Sequence, residues 1–139
     1  MLVGEFTHTI DNKGRIFIPA KLRASLGDNF ILCKGIDGCL WVYPEEDWAA
    51  FNKKLDSLSE IESRRVRRFF FASASEMNTD SQGRIVLTEA YREFANLSGE
   101  ATIIGNSNRL EIWNPEKWRE EQSAVNNDEL VSTLINLGF

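Results

Sequence analysis

The chain has 139 residues, 42% of them hydrophobic and 27% charged, enough apolar material for a core in one ordinary domain or two small fused units. Charges of both signs are interspersed along the length, which excludes an extended disordered chain. The net charge of −5 and the isoelectric point near 5.0 disfavour a nucleic-acid partner only on average, because phosphate attraction is decided locally, within a screening length of about 8 Å.

The N-terminal run Met1-Leu2-Val3-Gly4-Glu5 reaches an acid at once and has neither the basic start nor the apolar stretch of a signal peptide. No other segment approaches a membrane span. A cytoplasmic location with no membrane partner is expected, where the formal sequon Asn96-Leu97-Ser98 carries no meaning. Residues 6–10 alternate as a strand does and put His8, the single histidine, on a partly buried surface. Asp11-Asn12-Lys13-Gly14-Arg15 is a glycine-containing turn, and residues 15–18 form a second short strand, together a hairpin signal. Pro19 suits the first turn of a short helix whose Leu22 and Leu26 share a face and whose end is marked by Gly27. Apolar strands at residues 30–34 and 39–43 contain the only cysteines, Cys33 and Cys39, which are expected to be inert packing residues. A helix opens past Pro44, and Trp48, Phe51, Leu55 and Leu58 give it a long amphipathic stripe. Ser59 and Glu62 then form a capping-box pattern that starts a further helix through Arg64-Arg65-Val66-Arg67-Arg68.

Residues 80–85, Asp-Ser-Gln-Gly-Arg-Ile, echo residues 11–16, and the register runs on to Arg23 matching Arg92. After one added residue it resumes, pairing Gly35 with Gly105, Leu40 with Leu110, Val42 with Ile112, Tyr43 with Trp113 and Trp48 with Trp118. The chain is a tandem duplication. The second copy therefore repeats the elements of the first. A weaker strand at 75–79 leads through the turn to a strand at 84–87. A helix capped by Thr88 follows, with Tyr91, Phe94 and Ala95 on its apolar face, then strands at 101–105 and 109–113 and a helix past Pro115. Residues 123–127 read as mobile. The segment 128–137 places Leu130, Leu134 and Leu137 on one stripe, a short helix expected to dock on the body or on a neighbouring subunit. The units expected are 1–58, 59–72 as a helical connector, 73–122, and 123–139 as a tail.

In the repeated D-x-x-G-R turn, aspartate can accept backbone N–H bonds, glycine supplies a positive φ, and arginine begins the outgoing strand. One interpretation is an ion pair that braces each hairpin. A surface pair contributes only about 0–1 kcal/mol, however, and an arginine held by an aspartate is also oriented to meet a phosphate or a guanine edge. The two are compatible.

Taken together, Gly4-Glu5-Phe6, residues 11–18, Pro19-Ala20-Lys21-Leu22-Arg23, Gly38-Cys39-Leu40, Arg68-Phe69-Phe70-Phe71, Gln82-Gly83-Arg84-Ile85 and Leu110-Glu111-Ile112-Trp113 resemble the MraZ family over nearly the whole chain. That family belongs with the AbrB, SpoVT and MazE-type swapped-hairpin proteins. The resemblance implies an α+β fold, a double-split βαβ AbrB-like barrel with flanking helices. It further implies a ring-shaped homo-oligomer and a nucleoid-associated transcriptional regulator, in the sense of a repressor, that binds double-stranded DNA at promoter direct repeats of the division and cell-wall gene cluster. No cofactor and no metal are implied. Carried over, the DNA-binding positions are Asp11, Arg15, Asp80 and Arg84, with Lys13 as an added cation. Thr88 stands where the family usually has proline, and Gln82 where the first copy has Lys13, so the first turn is expected to dominate phosphate contact.

The arginines at 64, 65, 67 and 68 can be read as DNA contacts, as a salt-bridged face with Glu60 and Glu62, or as interface residues. The four tryptophans are read as core or subunit-contact residues. An antitoxin-like interaction module is the alternative function, although such proteins carry one copy and a disordered tail. An enzyme is not expected, because no nucleophile and base are paired by the sequence.

Overall fold

A computed structural model describes all 139 residues. Its strands are β1 (Glu5–Thr9), β2 (Arg15–Phe17), β3 (Phe30–Lys34), β4 (Leu40–Pro44), β5 (Ser75–Met77), β6 (Arg84–Val86), β7 (Glu100–Gly105) and β8 (Leu110–Trp113). The helices are α1 (Ala20–Leu26), α2 (Glu45–Lys54), α3 (Glu60–Ala72), α4 (Glu89–Phe94), α5 (Pro115–Ser123) and α6 (Asn127–Asn136). No helix is long and apolar enough to cross a membrane. The fold is a mixed α/β arrangement on an antiparallel sheet ordered β1-β7-β8-β4-β3-β5, with a separate two-stranded ribbon β2-β6.

That order reads the same when the two copies are exchanged. β1 of the first copy lies on β7 of the second, β5 of the second lies on β3 of the first, and β4 meets β8 at the centre. The hairpin expected within each copy is therefore not what forms. β1 and β2 share only the bridge Ile10 to Ile16 beside the turn, after which β1 joins the sheet and β2 pairs with β6. The reason is burial: side by side, Ile16 and Ile85 both become almost fully inaccessible, a gain a lone hairpin with one open face cannot supply.

The central strands alternate across two cores, as a doubly covered sheet requires. Phe30, Leu32, Leu40, Val42, Ile103 and Ile112 face the ribbon, α1 and α4. Cys33, Trp41, Tyr43 and Trp113 face the other way, toward Phe70 of α3 and the half-buried Trp48, Phe51 and Trp118. The tryptophans are thus packing residues in the aromatic layer. α3 begins with the full Ser59/Glu62 capping box, and Thr88 caps α4 through the Tyr91 amide. The long stripe expected after Pro44 is interrupted. α2 ends at Lys54, Leu55–Ser57 form a 3₁₀ turn that tucks Leu55 inside, and Leu58 is extended. Residues 123–127 are the end of α5, a short turn and the Asn126 cap of α6, whose side chain accepts from the Asp128 and Glu129 amides. Every residue of α6 is exposed, so of the two docking places expected for it the chain's own body is not used.

Because Ile16 and Ile85 are cross-strand partners in one core, Ile16→Ala and Ile85→Ala are each expected to cost about 2–5 kcal/mol. Their double variant should cost less than the sum, since neighbours in contact couple by about 0.5–3 kcal/mol. Urea unfolding of the four chains checks this.

Candidate nucleic-acid interface

The two turns are close copies in geometry as well as sequence. In the first, the Asp11 amide donates to the Arg15 carbonyl at 3.0 Å and the Gly14 amide to the Asp11 carbonyl at 3.0 Å. Asp11 Oδ1 accepts from the Lys13 and Arg15 amides at 2.9 and 2.8 Å, and Oδ2 accepts from Arg15 Nε at 2.6 Å. In the second, Asp80 Oδ1 accepts from the Gln82 and Arg84 amides at 2.9 and 2.8 Å, and Oδ2 from Arg84 Nε at 2.9 Å. Gly14 and Gly83 take φ of 77° and 79°, a region that side chains with a Cβ rarely adopt.

The aspartate engages only the Nε edge. The terminal Nη nitrogens of Arg15 and Arg84 make no hydrogen bond within the chain, so each guanidinium presents a fixed, unpartnered pair of donors. Both arginine side chains remain partly exposed, at 30% and 26%. The ribbon sets their relative position. Arg15 lies opposite Val86 and Phe17 opposite Arg84, so with Ile16 and Ile85 turned inward these four residues share the outer face. Phe17 is held by His8 edge-on at 5.3 Å and by the Arg23 guanidinium at 5.1 Å, whereas Val86 is 50% exposed. Lys13 and Gln82 are exposed at the turn tips.

Each turn is clamped by the other copy. The Gly14 carbonyl accepts from the Leu87 amide at 2.7 Å and the Gly83 carbonyl from the Ile18 amide at 2.9 Å. The Arg92 guanidinium packs over Gly14, and that of Arg23 over Gly83, where a Cβ would collide with it. A Cβ on Gly14 would lie 2.6 Å from the Leu87 carbonyl oxygen. Gly14 is thus required for close approach as well as for φ, whereas at Gly83 the constraint is the positive φ. The recurrence of Arg23 and Arg92 at one offset of the repeat is the sequence sign of this clamp.

Asp11, Lys13 and Arg15 stand at one end of the β2-β6 ribbon and Asp80 and Arg84 at the other, with Arg15 and Arg84 on its shared outer face. The arginines of α3 are elsewhere, since α3 packs on the sheet face opposite the ribbon. Arg67 is tied to Ser63, Asn52 and Asp56. Its ion partner is Asp56, not Glu60 or Glu62, because Glu62 is folded back on the Ser59 amide. Burial pushes the Cys33 and Cys39 thiols up to about 12, so neither is poised as a thiolate nucleophile.

The backbone amides of Arg15 and Arg84, followed by their guanidinium groups, lower the Asp11 and Asp80 carboxyls from the ordinary value of 3.8. A lowered carboxyl contributes stability that is present above the ordinary value and is lost as pH falls through the lowered one. In an acid titration followed by NMR, the Arg15 and Arg84 Nε–H signals should therefore keep their bonded shifts through pH 3.8 and change only below it.

The family model described as "MraZ protein, putative antitoxin-like" matches residues 1–69 and again residues 70–134. The chain is 46% identical over 143 residues to the "Transcriptional regulator MraZ" of Caldicellulosiruptor saccharolyticus, covering all of both chains. It is 45% identical over 143 residues to the protein of the same name from Limosilactobacillus reuteri, again across both chains in full. To that of Desulforamulus reducens it is 43% identical over 141 residues, 99% of each. With its two matched copies and relatives aligned from end to end, the chain belongs to the MraZ family.

Proposed function

We propose that this chain is a transcriptional regulator that binds double-stranded DNA through the β2-β6 ribbon and the two turns that flank it. One observation carries the reading: two aspartate-held arginines stand on the same outer face with their Nη pairs free. A two-stranded ribbon fits the major groove, where a guanidinium meets guanine O6 and N7 in bidentate fashion. Relatives named as transcriptional regulators support the functional class. The exchange of β1 and β5 supports an AbrB-like double-split βαβ fold. The cellular place is the cytoplasm, at the nucleoid.

A single copy carries few cations at its tip and a net charge of −5, so its own affinity is low and strongly salt-dependent. Several copies in a ring-shaped homo-oligomer acting as a repressor on promoter direct repeats overcome this, because linked contacts raise affinity by roughly 10² to 10⁴ when geometry allows simultaneous engagement. The antitoxin-like alternative is less favoured, since the two copies interlock and the tail is helical.

Gel shift with DNA from upstream of the chain's own gene tests the reading. Arg15→Ala should abolish operator binding with the circular dichroism spectrum unchanged. Arg84→Ala should cost less, because Gln82 replaces the lysine of the first turn, and Lys13→Ala should lower the salt slope by about one phosphate contact. Full affinity in a folded Arg15→Ala chain would overturn the site. Multivalency has its own check. Adding about half a helical turn between two boxes should weaken binding sharply, and adding a full turn of ~10 to 10.5 base pairs should restore part of it. Indifference both to phase and to loss of all boxes but one would sink the multivalent mechanism.

A further inference from the structure

α6 poses a physical problem that the isolated chain does not solve. Leu130, Val131, Leu134, Ile135 and Leu137 form one stripe and are 45% to 72% exposed, and all residues from Arg119 to Phe139 face solvent. A helix of 10 residues has little stability of its own in water, because helices shorter than about 12 to 15 residues are marginal unless an apolar face is packed. Its start is nevertheless defined by the Asn126 cap. The stripe therefore requires a cover from outside the chain.

The same molecule carries a surface of matching form. α3 turns Phe70 and Val66 inward and presents Ile61, Arg64, Arg65, Arg68, Phe69 and Ala72 outward. Ile61 and Phe69 are 55% and 42% exposed, and of the four arginines of this helix only Arg67 has an acid partner. Grooves of about 500 and 630 Å³ flank the helix on either side, which is the relief into which a second helix packs. α6 carries Asp128 and Glu129 and no basic residue. At a rise of 1.5 Å per residue the two helices are roughly 15 and 20 Å long.

We propose that α6 of one copy lies across α3 of a second copy, with its leucine stripe over Ile61, Phe69 and Ala72 and its two acids beside Arg64, Arg65 and Arg68. The contact uses different patches on the two partners, so each copy offers both halves and the association passes on to a third. This goes beyond the assembly proposed above by naming its surfaces, and it rests on that assembly. The α3 arginines then serve subunit pairing, on the side of the sheet away from the ribbon.

Light scattering on the full chain tests it. The wild type should have a mass several times 15.9 kDa. Leu130→Asp combined with Leu134→Asp lies outside both cores and should reduce that mass at least twofold with the β-sheet signal and a cooperative thermal transition retained. Arg65→Glu combined with Arg68→Glu should do the same, and adding Asp128→Lys and Glu129→Lys to that α3 variant should recover the mass. An α6 variant that disassembles while the α3 variant keeps the wild-type mass would overturn the pairing, as would a charge swap without recovery. A monomeric wild type would overturn the pairing and the assembly together, leaving the ribbon site to be judged separately by Arg15→Ala.

Discussion

Everything at the ribbon end depends on a reciprocal pair of backbone bonds, Leu87 N–H to the Gly14 carbonyl and Ile18 N–H to the Gly83 carbonyl. Each leaves one copy's outgoing strand and lands on the other copy's turn. Between them lie the β2-β6 ladder and the buried contact of Ile16 with Ile85. At Gly14 the Leu87 carbonyl comes too close for any side chain, and at both turns Arg92 and Arg23 are laid over a glycine of positive φ. Because the clamp is mutual, each copy's turn is braced by the other copy's outgoing strand. The spacing of Arg15 and Arg84 is set by strand register, not by flexible side chains.

Much of this was legible in the sequence because it is local. Pro19, Thr88, Pro115 and the Ser59/Glu62 pair each mark a helix start by a mechanism confined to a few residues, and the structure uses all of them. The aspartate, glycine and arginine of each turn likewise do what their chemistry suggests. What was not legible is which strand pairs with which. Alternation tells a strand which side to bury and says nothing about its neighbour, so the local hairpin was the natural expectation and the exchange of β1 and β5 was not. Helix length past Pro44 failed for a related cause, since Leu55 keeps the helical spacing but reaches the core through a 3₁₀ turn. The lone exposure of Val86 beside a held Phe17 is also tertiary, because the two occupy equivalent places in the repeat and differ only in what packs on them.

The acidic average conceals a division of labour between the faces of the sheet. The side toward the ribbon is aliphatic and ends in two oriented guanidinium groups and Lys13. The opposite side is an aromatic layer in which Trp41 stacks on Phe70 at 5.2 Å and Tyr43 on Phe51 at 5.5 Å. Arg109 sits 3.9 Å over Trp41 and pairs with Glu111 at 3.2 Å, so a half-buried cation is satisfied beside that layer. Positive charge is thus used in two ways, once with its terminal nitrogens left free and once engaged by an aromatic ring and an acid, and counting residues along the chain cannot separate the two.

The exchanged strands also govern the order in which the molecule can be made. Glu5 finds its partner in Ile104, and Arg15 finds its own in Val86, so the first strands to leave the ribosome are among the last to acquire neighbours. At about 5 to 20 residues per second, the interval from β1 to β7 is roughly 5 to 20 seconds, far longer than the microseconds a hairpin needs to close. Until β7 is made β1 has no sheet partner, and until β6 is made β2 has none. Covalent linkage of the two copies raises the effective concentration of each strand's partner over that of any neighbouring chain.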